Sequence, residues 1–372
     1  MNDESVTASP AASSGHRPRG GVRGGAAQGF CTRLLAIGVT LAAGASAGQA
    51  APSEFTPKDL NPAAMKAIER GLNWLTKAQR TDGSWAYQRY SRGNAGGHVG
   101  ITGLAGIALL AGGHVPGRGR YGENVERAIR YVTKSTHPRT GYINSGNTRM
   151  YSHGFATLFL AEVYGMTRRE DVRGPLIRAI SLIENCQNPQ GGWRYSPTPT
   201  DADISVTICQ IMALRAARNS GIRVSKRVIN NGIKYIKGCQ NSDGGFSYIF
   251  GSGGSGFART AAGVCSLYYA GTYGDKSITR GLDYLAKHPQ FGRGGGGFGG
   301  GPYFYGHYYA VQAMYQAGGK YWSGYFPRMR DELVRNQNTN GGWMAQTGGT
   351  FETAVALIIL QAPYGYLPIL QR

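Results

Sequence analysis

A short signature returns six times along this chain, and a recurring unit of this kind narrows the choice of fold more than any other feature. Four copies are plain: "QRTDGSW" from Gln79, "QNPQGGW" from Gln187, "QNSDGGF" from Gln240 and "QNTNGGW" from Gln337. Each is a glutamine, a few turn formers, glycine and an aromatic. Two degenerate copies, "HPRTGYI" and "GRGGGGF", fall where the series needs them. The closing aromatics are Trp85, Tyr142, Trp193, Phe246, Phe298 and Trp343, separated by 57, 51, 53, 52 and 45 residues. A steady period of this size means one supersecondary unit stacked on copies of itself.

Every unit has the same order. A polar amphipathic helix such as "ENVERAIRYVTKS" precedes the turn, and a more apolar one such as "YSHGFATLFLAEVYG" follows it. The first set carries a one-sided apolar stripe, whereas the second is apolar most of the way round, as expected of an outer and an inner layer. Several second helices end in glycine, a common helix stop. The pattern predicts an all-α fold, a closed (α/α)6 toroid of six helical hairpins with inner and outer rings. An open solenoid has the same period and stands as the alternative. Within each turn the glutamine is expected to satisfy backbone groups at a helix end. The glycines make the tight turn, and the aromatic pins it to the neighbouring hairpin. These are structural roles with no chemistry attached.

The first 50 of the 372 residues read as a leader with a signal peptide. Arg17, Arg19, Arg23 and Arg33 precede the short apolar run "LLAIGVTLAAGASA", and small residues follow, so cleavage is expected near Ala47 or Ala50. The rest, 51–372, is then a single toroid domain with six repeats, exported to the periplasm or cell surface. It carries 36 basic and 18 acidic residues, a net +18. That charge favours anionic partners, a membrane surface among them. The basic residues are scattered and match no nucleic-acid motif, so nucleic acid is not an expected partner. Cys186, Cys209, Cys239 and Cys265 lack any C-x-x-C spacing and read as buried thiols. The oligomeric state is left open by these features.

The stretch "RGLNWLTKAQRTDGSW", Arg70 to Trp85, resembles the QW repeat of squalene-hopene and oxidosqualene cyclases, which is related to that of protein prenyltransferase β subunits. Arg178 to Trp193 matches with Leu182 in the aromatic slot, and Asn231 to Phe246 departs at its first and last positions. Arg127, Ala128, Tyr131 and Val132 keep the front half of the pattern. The resemblance spans roughly residues 60–365 and implies an α/α toroid like the C-terminal domain of squalene-hopene cyclase. It also implies a central cavity for an isoprenoid-type or other apolar-tailed substrate. In those cyclases a D-x-D-D-T-A motif supplies the acid that protonates the alkene. Asp201 and Asp203 in "DADISVT" match its first two aspartates, with Ile204 and Ser205 where the third aspartate and the threonine would stand. Asp203 is accordingly the candidate general acid, its pKa expected to be raised by the nearby Asp201 carboxylate and further by burial. An N-cap aspartate beside a turn aspartate explains the pair equally well. The missing third aspartate argues against full class II cyclase activity, and the absence of a second barrel against cyclisation of full-length squalene. Prenyltransferases hold zinc through a D-x-C pair and a later histidine. Here "GGFGGGPYFYGHYY" offers His307 but no D-x-C, so no metal and no other cofactor is expected.

In such a toroid the inner helices run the same way and their N-termini meet at one end. His98, His153, Asp203, Arg259, His307 and Glu352 follow their landmark aromatics by 13, 11, 10, 13, 9 and 9 residues. They are expected to form one ring at the mouth of the cavity, with Tyr195 and Tyr305 among the aromatics beside it. The competing reading takes the acidic members as helix caps. The expected function is that of an exported terpenoid cyclase- or prenyltransferase-like toroid binding or transforming an isoprenoid-type substrate. Any catalysis would be acid-initiated. The alternative is a non-catalytic binding module for an acidic peptide, glycan or lipid.

Overall fold

The computed structural model describes residues 59–87, 96–146, 148–292, 301–343 and 349–371. The expected leader, with Ala47 and Ala50, and the landmark Phe298 lie outside the described residues. Among the described residues six outer helices, α1 (Pro62–Lys77), α3 (Gly122–Lys134), α5 (Glu170–Asn185), α7 (Lys226–Gly238), α9 (Lys276–Lys287) and α11 (Gly319–Arg335), alternate with six inner ones. The inner set is α2 (Val99–Ala111), α4 (Met150–Thr167), α6 (Ile204–Asn219), α8 (Phe257–Tyr269), α10 (Gly301–Ala317) and α12 (Thr350–Gln361). Among the described residues no β-strand forms, only isolated bridges in the turns.

Amphipathicity assigns the layers as expected. Helix α3 buries one stripe, Val125, Ala128, Ile129 and Val132, whereas all of α2 from Val99 to Ala111 is buried. Adjacent inner helices run parallel: Gly100, Gly103 and Gly106 of α2 meet Ser152, Phe155 and Phe159 of α4 in the same order. The approach is close enough that a Cβ at Gly103 would stand 2.8 Å from the Phe155 carbonyl oxygen.

Each inner helix packs on the next, and α12 packs back on α2. The outer layer closes too, because Gln337 Nε2 donates to the Ala67 carbonyl at 2.8 Å. The fold is a closed toroid, and the solenoid alternative is excluded.

The same contact explains the repeat. Gln187 Nε2 donates to the carbonyls of Gly191 in its own turn and Val228 in the next outer helix, both at 2.9 Å. Gln79 and Gln240 make the equivalent pairs, to Gly83 and Asn124 and to Gly244 and Ser277. The glutamine therefore ties neighbouring hairpins together, a wider role than the helix-end partner expected of it. Gly191 sits at φ +99°, and a Cβ there would run into the Asn231 carbonyl of the following hairpin. The buried Trp193 donates its indole N–H to the Ile183 carbonyl at 2.7 Å and its backbone N–H to Thr207 Oγ1 at 3.1 Å. One residue thus pins an outer helix to an inner one. Trp85 with Thr102 and Trp343 with Thr353 repeat the arrangement.

At the C-terminal end of the inner ring, two 3₁₀ turns, Ala362–Tyr364 and Pro368–Leu370, lie across the helix ends. The Ile369 N–H donates to Glu162 Oε2 of α4 at 3.3 Å, and Gln316 Nε2 of α10 donates to the Leu370 carbonyl at 3.0 Å. All four cysteines of the toroid are buried and free, as their spacing implied.

Candidate functional site

At the opposite end the N-termini of all six inner helices surround one cavity of about 580 Å³. Leu104 of α2, Phe155 of α4, Ser205 of α6, Arg259 of α8, Tyr305 of α10 and Phe351 of α12 each contribute to its wall. Tyr248, from the turn before α8, completes the side next to Ser205. The interior is apolar and aromatic. Among the described residues Arg259 is the one charged member of the lining, and its guanidinium donates to the Gly254 carbonyl at 3.1 Å.

The six ionisable residues grouped by sequence position do not form one ring. They occupy four helical registers. His98 and Asp203 are N-caps, Arg259 and Glu352 are third residues of their helices, His153 is a fourth residue and His307 a seventh. Because successive helical residues point about 100° apart, one position of slippage turns a side chain away from the cavity. His98 lines the wall and caps α2, its Nδ1 accepting the Ile101 N–H at 3.3 Å. Burial holds its imidazole neutral, with the pKa down at about 4.

His153 stands outside the lining. Its Nδ1 accepts the Ile143 N–H at 3.1 Å, and its Nε2 lies 3.3 Å from the Ala179 carbonyl, which fixes the Nε2–H tautomer. It takes the place that Thr102, Thr207, Thr260 and Thr353 hold in other repeats. His307 is also turned away. Its Nδ1 pairs with the Tyr325 hydroxyl at 2.9 Å, and Phe257, Phe291 and Tyr303 surround the ring. Burial brings both histidines to about 4 as well. Glu352 is fully buried in the first turn of α12.

Asp203 is fully buried and caps α6, Oδ1 accepting the Val206 N–H at 2.9 Å. Its pKa is raised, first by burial, against the lowering effects of that N–H, of Arg194 and of the Tyr248 hydroxyl. Asp201 is not among the leading causes of the shift. Its side chain is 62% exposed, and the two carboxylates bracket Arg194 rather than facing each other, each 3.4 Å from the guanidinium. Of the two causes expected to raise the Asp203 pKa, burial is the leading one, and Arg194 stands where repulsion from Asp201 was expected and opposes it. Arg194 had no role in the sequence reading, although it directly follows the landmark Trp193. Its guanidinium also lies 5.0 Å from the Tyr195 ring and 5.6 Å from that of Tyr248, and the two phenol oxygens are 2.5 Å apart. Tyr305 donates to the Ser205 carbonyl at 3.4 Å, and Tyr151 meets it edge to face.

A model of the prenyltransferase alpha-alpha toroid domain matches residues 103–303 of the sequence. The chain belongs to that family. No curated protein matches it in sequence. Among solved structures it is similar to the type II terpene cyclase MstE from Scytonema, at 16% identity and a TM-score of 0.60 over 82% of this chain and 99% of that one. MstE variants have been solved with geranylgeranyl dihydroxybenzoate, its substrate, and with merosterolic acid A, its product. An α-1,6-mannanase of Salegentibacter sp. is similar at 8% identity and a TM-score of 0.64, over 82% of this chain and all of that one. At such identities the likeness is one of fold, which terpene cyclases and glycoside hydrolases share with this family member.

Proposed function

We propose that this toroid binds an isoprenoid-type or other apolar-tailed molecule in the cavity at the N-terminal end of its inner ring, and that Asp203 is its proton donor. The observation that carries the reading is the aromatic cavity to which all six inner helices contribute, with Arg259 the one charged residue among the described residues of its lining. An apolar tail gains by leaving water for such a wall, and an anionic head finds its partner in Arg259. The ligand-bound forms of MstE support this class of molecule for a toroid of this shape.

In the catalytic version the raised pKa of Asp203 lets it retain a proton. Transfer to an alkene carbon leaves a carboxylate beside Arg194 and a carbocation among Tyr151, Tyr248 and Tyr305, whose ring faces stabilise positive charge. Loss of a C–H proton to water then gives a neutral isomer. Asp203 does not line the cavity whereas Tyr248 does, so contact with the alkene requires the Tyr248 ring to turn aside. A second reading, binding without turnover, draws on the same residue, since one oxygen caps α6 and the other faces Arg194.

Incubation with geranylgeranyl dihydroxybenzoate separates the readings. An isomer of unchanged mass in chromatography–mass spectrometry, reduced at least a hundredfold by Asp203→Asn, supports catalysis. A raised melting temperature with no isomer supports the binding module. Neither effect, with that compound or with geranylgeraniol, removes the isoprenoid reading.

A further inference from the structure

Both ends of the toroid carry paired and unpaired cations. Around the cavity end, among the described residues, Arg80 pairs with Asp82 and Arg194 with Asp201 and Asp203, whereas Arg149 and Arg259 make no ion pair. At the other end, where the inner helices finish, the segment "RAARNSGIRVSKR" from Arg215 to Arg227 holds five basic residues and no acid. Arg218, Arg223 and Lys226 are exposed and make no ion pair among the described residues. Contacts draw the neighbouring loops into the same face. Arg168, after α4, donates to the Ser220 carbonyl after α6, and Arg215 donates to the Tyr273 hydroxyl after α8 at 3.0 Å.

Two exposed tyrosines lie at this end, Tyr273 against Arg215 and Tyr366 in one groove with Arg120 and Glu69. Tyr273 is 43% exposed and Tyr366 is 52% exposed. Tyr364 and Tyr366 stack on each other, centroids 5.5 Å apart and planes 18° apart, and Tyr366 packs over Gly113 at the end of α2. Cations at helix C-termini complement the helix dipoles. That accounts for some of the charge but not for half-exposed phenols at the same end.

We propose that this face docks on an anionic phospholipid surface, with Arg218, Arg223 and Lys226 over the headgroups and Tyr273 and Tyr366 at the interface. Basic side chains are drawn to anionic leaflets, and amphipathic aromatics settle at headgroup depth. A lipid surface fits better than a nucleic-acid strand for two reasons. The tyrosines of the tail stack on each other and not open for intercalated bases. The turns of residues 362–370 also lie across the helix ends, where a strand would need a groove. Among the described residues no helix is long and apolar enough to cross a membrane, so the contact is one of surface docking. The proposal is independent of what the cavity binds.

The test is co-sedimentation of the protein with vesicles of phosphatidylcholine alone and with 30 mol% phosphatidylglycerol (roughly the anionic content that draws basic segments). Binding is expected only to the anionic vesicles, weakening at least tenfold between about 50 and 300 mM salt. The triple variant Arg218→Glu, Arg223→Glu, Lys226→Glu should lower the bound fraction at least tenfold, and Tyr366→Ser severalfold. A control with the same charge change elsewhere, Lys66→Glu, Lys134→Glu, Lys234→Glu, should retain most of the binding. Equal loss in control and variant would mean that net charge acts without a face and would overturn the proposal. So would equal binding to neutral vesicles, no binding at all, or displacement from the vesicles by an equimolar single-stranded polynucleotide.

Discussion

Asp203 serves at once as helix cap, ion-pair partner and candidate acid, and the three roles have different substitution signatures. Asparagine keeps the cap because its amide oxygen still accepts from Val206. It loses only the attraction of Arg194 and the ionisable proton. A raised carboxylate pKa means that ionisation costs stability, so the contribution is favourable below about pH 3.8 and is lost as pH rises through the folded value. Asp203→Asn should therefore be at least as stable as the parent at pH 7, with the difference shrinking toward pH 3.5 in urea titrations. His153 has the opposite sign. Its pKa falls from 6.5 to about 4, so its stabilisation holds above pH 6.5 and is lost as pH drops through about 4. His153→Thr puts into this repeat the residue used by four others. It should fold, lose roughly 1–3 kcal/mol at pH 7 from the unmet Ala179 carbonyl and lost packing, and show a shallower acid limb in thermal melts between pH 6.5 and 4.

The recurring turn is the element that converts six hairpins into a ring. Removing the amide of Gln337 breaks the bond to Ala67 that joins the last outer helix to the first. Gln337→Ala should cost roughly 1–3 kcal/mol and raise amide exchange first in α1 and α11. If exchange rose evenly across the chain, the closure would not be a local seam. Gly191→Ala tests the backbone requirement instead of the side chain. A φ of +99° and the Asn231 carbonyl together leave no room for a methyl group. A loss of roughly 2 kcal/mol or more is expected, whereas Gly254→Ala, with open space around it, should be near neutral. The turn's chemistry was legible in the sequence because its residues are contiguous. The partners of the glutamine were not, since Val228 follows Gln187 by 41 residues and Ala67 precedes Gln337 by 270.

At the scale of the whole toroid, the turns of residues 362–370 cover the C-terminal end of the inner ring. Beneath the covering turns sits Glu162, fully buried, its pKa pushed up to about 8 by burial. Stability from its neutral form is present below about pH 4.5 and is lost as pH rises through about 8, so the parent should weaken steadily over that interval. Glu162→Gln keeps an acceptor for the Ile369 N–H without the ionisation. The variant should gain on the parent by several kcal/mol between pH 5 and 9 (on the order of 1.4 kcal/mol per pH unit at most), read as diverging unfolding midpoints. Parallel curves would show that water or a rearranged tail relieves the buried charge. The sequence by itself determined the six hairpins, the inner and outer layers and the turn that repeats between them. Those features depend on periodicity and on residues next to one another. Only the tertiary structure decided that the ring closes, that His153 and His307 face outward, and that Arg194 separates Asp201 from Asp203. Those outcomes depend on how each helix is rotated and on contacts between residues far apart in the chain. Counting from a landmark fixes a position along a helix to within a residue or two, and each residue of error swings a side chain by about 100°.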